Sequence, residues 1–89
     1  MIIPIQIRAA RALLSIGQQE LATLAGVGLG TVKRIEAAGE ELVGTAQTLG
    51  RIQRALELEG IEFIDQDQSK GPGVRLRKPL ENVPRVRIE

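Results

Sequence analysis

Side chains able to act as acid, base or nucleophile are scarce in this 89-residue chain. It has no His and no Cys, and so no imidazole base, no thiolate and no ordinary zinc ligand set. The carboxylates Glu40, Glu41, Glu57 and Glu59 have no partner acid, base or metal-ligand set and read as solvated. The cluster Gly26-Val27-Gly28-Leu29-Gly30 could suggest a nucleotide loop. It fails the G-x-G-x-x-G spacing at Thr31 and follows a helical pattern instead of a strand, so it is turn chemistry. No catalytic residue, metal or cofactor is expected. The functional groups that remain are cations, including the adjacent pair Lys33-Arg34 and the pair Arg51 and Arg54.

The elements that must position these cations are helices divided by glycines. Ile3, Ile7, Ala10 and Leu14 recur at i, i+4, i+7 and i+11, a single stripe of a first helix. Pro4 fits only the first turn, so that helix starts there. Arg8 points away from the stripe, and Arg11 lies on its flank. Gly17 interrupts, and Gln18 to Ala25 forms a second helix with Leu21, Leu24 and Ala25 inward. Gly26 closes that helix as a C-cap. A third helix runs roughly from Leu29 to Ala38, with Val32 and Ile35 inward and Gly39 as its stop. Helical geometry then turns Gly30, Lys33, Arg34 and Ala37 outward. Thr45 is a natural N-cap for a fourth helix with Leu49, Ile52 and Leu56 buried, ended by Gly60. Beyond Gly60 the period becomes two. Ile61 to Asp65 and Gly73 to Arg77 read as a β-hairpin around a long, mobile loop, and residues 84–89 as a third strand or a frayed end.

Two short helices joined by a glycine turn are a helix-turn-helix pattern. The run Gln18-x-x-Leu21-Ala22-x-x-x-Gly26-Val27, followed by Gly28 to Glu36 and then Thr48-Leu49-x-x-Ile52-x-x-Ala55-Leu56, resembles the phage-repressor and Cro-type (XRE) regulators. The resemblance spans about Ile7 to Leu56. It implies a mainly α fold, a compact four-helix lambda-repressor-like domain over residues 1–60, which the alternating pattern extends with a β-strand segment over 61–89. It also implies double-stranded DNA as partner. Gln18 falls where the family contacts a phosphate, and Leu29, Gly30, Thr31, Lys33 and Arg34 fall on the part of the third helix that faces the major groove. Arg34 is the best base reader, since a guanidinium can bond guanine O6 and N7 together. Lys33 suits phosphate, and Thr31 either. Arg51 and Arg54 are assigned equally to phosphate contact and to solubility. Glu36 resembles the family's buried acid, whose partner on the first helix would here be Arg11. The chain departs from the family at Gly17 and Gly28, where Ser or Thr is usual. It departs again at Leu29 and Gly30, where polar readers are usual.

Charge adds an expectation about assembly. The net charge of +1 averages a neutral segment over residues 1–60 with a basic one over 70–87. The basic segment is either a sheet edge blunted by charge, the favoured reading, or a second backbone contact. With so few cations, one protomer would hold DNA weakly. A homodimer joined through residues 61–89 would read two half-sites about 34–36 Å apart. The expected function is therefore a dimeric repressor. The alternative is an antitoxin-like or anti-activator interaction module with a protein partner. No apolar run approaches a membrane span of about 18 residues, and Pro4, Arg8 and Arg11 break the apolar start. The cysteine-free composition fits a reducing cytoplasm.

Overall fold

A computed structural model describes residues 2–38 and 44–83. Four helices come first: α1 (Pro4–Leu14), α2 (Gln18–Ala25), α3 (Leu29–Ala37) and α4 (Ala46–Leu58). Two antiparallel strands follow, β1 (Ile61–Ile64) and β2 (Gly73–Leu76). The fold is mainly α with a C-terminal hairpin. Glu40, Glu41, the stop assigned to Gly39 and the strand assigned to 84–89 lie outside the described residues.

Local chemistry sets the helix ends. Pro4 occupies the first turn of α1, and the Gln6 side chain returns to accept the Ile3 N–H at 3.0 Å. The expected break at Gly17 falls two residues earlier, because Ser15 takes the left-handed conformation (φ 56°). Ile16 N–H then donates to Arg11 O at 3.1 Å, and Gly17 is left to serve as N-cap of α2. Gly26 ends α2 at φ 68°, a conformation glycine adopts without the Cβ clash. Thr45 caps α4 as expected, its Oγ1 accepting Thr48 N–H at 3.1 Å. Just before it, Gly44 has φ 112°, and a Cβ there would sit 3.2 Å from Ile35 Cδ1. Close approach and backbone sign both select glycine at that position.

Ile7, Leu21, Val32, Ile35, Ile52, Leu56 and Ile61 are fully buried in one cluster. α3 packs against α1 and α2, and α4 packs against α2 and β1. Ile61 belongs to the helical core, and Phe63, Val74 and Leu76 pack against it. The boundary at residue 60 therefore separates helices from strands without separating two cores. The strands pair in the register Ile61↔Leu76, Glu62↔Arg75, Phe63↔Val74 and Ile64↔Gly73, with Arg75 and Glu62 ion-paired across them. The loop between them is built by its own bonds. Asp67 accepts Ser69 N–H at 2.7 Å and Lys70 N–H at 2.8 Å, while Asp67 N–H donates to Lys70 O at 2.9 Å. These donors, the Ser69 amide first, hold the Asp67 carboxyl below its ordinary range.

The inward face of α2 differs from expectation. Leu21, Ala22 and Ala25 are buried, whereas Leu24 is 46% exposed. Small alanines let α2 lie close to its neighbours, and the stripe rotates toward them. Among the described residues, no helix is long and apolar enough to cross a membrane.

Candidate nucleic-acid interface

The outward face of α3 is set by what its inward face must do. Val32 and Ile35 are buried, and Gly30, Lys33, Arg34 and Ala37 are exposed, as helical geometry requires. The turn that presents this helix is fixed at both ends: Val27 N–H donates to Ala22 O at 3.0 Å, and Val27 itself packs against the core. Gly28 is the N-cap and supplies no side-chain acceptor.

The C-terminal end of α3 is anchored by Glu36, which is only 4% exposed. Arg11 meets its carboxylate with two donors, Nε to Oε2 at 2.7 Å and Nη2 to Oε1 at 2.6 Å. A third donor, Arg11 Nη1, reaches Ile16 O at 3.2 Å. The fork geometry gives two charge-assisted bonds at once, which lysine could not supply. The hydrogen bonding to Glu36 raises the Arg11 pKa; desolvation opposes it, and the charge attraction to Glu36 adds the smallest contribution. Gln18 adds a bond from Nε2 to Glu36 Oε1 at 3.1 Å. One buried carboxylate thus ties α1, α2 and α3 together. Arg8, expected to point away from the stripe, is exposed, yet its Nη1 turns back to donate to the Glu36 carbonyl. The signal for it was its i, i+3 spacing from Arg11.

The site residues divide into two groups. Lys33 and Arg34 stand fully outward on α3 beside the exposed Gly30, with Thr31 half-buried. Arg34 Nη2 donates to Thr31 Oγ1 at 3.3 Å, so the two side chains lie side by side on this surface. A Cβ built on Gly30 would lie 3.8 Å from Arg34 Nη1, an ordinary van der Waals contact with the guanidinium. Leu29 is partly withdrawn, half-buried against the core, which limits what it can offer a thymine methyl. Gln18 is half-buried and committed to Glu36 through one amide hydrogen. The NH₂ group has a second. Arg51 and Arg54 are exposed on α4, a helix that packs on α2 and β1.

The arrangement can perform charge-assisted and bidentate hydrogen bonding from a rigid helix. No protein-family model matches the chain and no curated protein matches its sequence.

Proposed function

We propose that this chain is a sequence-specific DNA-binding transcriptional regulator, a dimeric repressor acting in the cytoplasm and reading one half-site per protomer with α3. The observation that supports this most is the pairing of opposites on that helix. Its inner end is fixed to α1 and α2 through Glu36, and its outer face presents Lys33 and Arg34 to solvent. In this reading Arg34 bonds a guanine edge with its guanidinium, while Thr31 and Lys33 meet a base edge and a phosphate. The second amide hydrogen of Gln18 donates to a phosphate oxygen, and Arg51 and Arg54 add backbone contacts. Leu29 and Gly30 shape the surface without hydrogen bonding to bases. Dimerisation through residues 61–89 doubles the contacts, and bound dimers repress by occluding a promoter.

Fluorescence anisotropy with DNA from upstream of the chain's own gene tests this reading. Binding should prefer that DNA over scrambled sequence. If roughly four phosphates are neutralised per protomer, the log–log salt slope for a dimer is about −7. A second reading, an interaction module with a protein partner, draws on Gly30, the withdrawn Leu29 and the committed Gln18, which together leave few polar readers. Absence of DNA binding together with a co-purifying protein would favour it.

A further inference from the structure

Two leucines stand where the packing rules give them no reason to be. Leu58, on the last turn of α4, is 76% exposed, and Leu24 on α2 is half out of the core. They lie along two shallow grooves that meet at Glu59. One groove is lined by Leu58, Leu76, Pro79 and Leu80 together with Arg77 and Lys78. The other is lined by Ile16 and Leu24 together with Gln19 and Glu20. Glu59 lines both, so the surface is continuous from α2 across the end of α4 to the segment after β2. Leu80 on that segment is 54% exposed. An apolar strip of this kind with a charged rim is the usual form of an association surface.

The rim shows what covers it. The α2 end carries the acidic Glu20, Glu59 stands where the grooves meet, and the far end carries the basic Arg77 and Lys78. Arg77 is held in place, its Nη2 donating to Glu57 O at 3.2 Å and Ile61 O at 3.3 Å, whereas Lys78 is exposed to solvent. A two-fold interface places one patch against itself in reversed order, so a surface acidic at one end and basic at the other complements its own copy. We propose that this strip is where a second copy of the chain docks, with Leu58 near the two-fold axis and Lys78 of each copy facing Glu20 of the other. The inference rests on the two-fold assembly proposed above and adds to it the α2 and α4 side of the contact. Neither groove is lined by Thr31, Lys33 or Arg34, so docking leaves the outward face of α3 uncovered.

Sedimentation equilibrium of the full chain without DNA tests the proposal separately from DNA recognition, which anisotropy reads. The parent chain should dimerise, and Leu58→Asp should raise the dimer dissociation constant at least about tenfold. Leu58 is exposed, so circular dichroism should show that variant folded. Lys78→Glu should weaken the dimer severalfold, and the double variant E20K/K78E should recover it. A parent that stays monomeric at high micromolar concentration overturns the proposal. So does a dimer that Leu58→Asp leaves intact, which would put the contact elsewhere on the hairpin. A dimer weakened by Lys78→Glu that E20K/K78E fails to restore overturns the reversed pairing, and the two-fold arrangement with it.

Discussion

Glu36 and Gln6 are the two buried polar side chains of the described core, each 4% exposed, and they hold different halves of the molecule. Glu36 is an anion that joins α1, α2 and α3 through Arg11 and Gln18. Gln6 is neutral and joins α1 to the hairpin. Its Nε2 donates to Ile64 O at 3.1 Å and to Gly73 O at 3.0 Å, while its Oε1 accepts the Ile3 amide. No buried side-chain polar atom among the described residues lacks a partner. Charge is used where three helices must be held in one orientation. A neutral amide serves where a strand pair is laid on a helix. The cost of losing each should differ accordingly, since an unpaired buried charge is more expensive than an unpaired amide or carbonyl.

Arg11→Met is expected to have the largest effect. It leaves the Glu36 carboxylate buried with Gln18 as its remaining side-chain donor, and should cost about 3–5 kcal/mol in urea denaturation. Replacing both partners, Arg11→Met with Glu36→Leu, should recover most of that loss. A single variant as stable as the parent would remove the asymmetry between the two anchors.

Gln6→Ala should cost less, about 1–3 kcal/mol. Its loss should be local, with amide exchange quickening across residues 61–76 before α2 or α4. If Arg11→Met and Gln6→Ala quicken the same amides, the molecule has one anchor system instead of two.

Gly30→Ala should have a smaller effect of opposite sign. The site is exposed and helical, and a Cβ there makes only an ordinary contact with Arg34, so an alanine should stabilise α3 by about 1 kcal/mol in the same denaturation assay.

The smallest effect concerns Asp67. Its carboxyl is held below the ordinary range when folded, so its contribution is present above the unfolded pKa and fades as pH falls through the folded value. The protection of the Ser69 and Lys70 amides, measured relative to the intrinsic exchange rate at each pH, should therefore fall on acidification and stay constant around neutral pH. Asp67→Asn should blunt that dependence.

The two anchors also differ in how readable they were. Val32 and Ile35 at i, i+3 fixed the outward face of α3, and Arg11 with Glu36 followed from helix flanks plus the family pattern. The outward face depends on short-range periodicity, and the ion pair on what the resemblance implied. Gln6 carried no such mark, because its partners lie 58 and 67 residues along the chain and are backbone carbonyls, which have no residue type to recognise. Ser15 was hidden by its neighbour: Gly17 offered the obvious stop, yet the left-handed residue is a serine. Leu24 misled because Leu21, Leu24 and Ala25 fit a stripe that Leu21, Ala22 and Ala25 fit equally well. An eight-residue helix is too short for periodicity to decide between them.

In the proposed function α3 reads DNA through Arg34. Anisotropy titrations of the parent and Arg34→Ala on the upstream site, at fixed salt, test it most directly. The account predicts a loss of ~1–3 kcal/mol per half-site and a flattened preference over scrambled DNA. An Arg34→Ala chain that binds the same site as tightly and as selectively as the parent would contradict it.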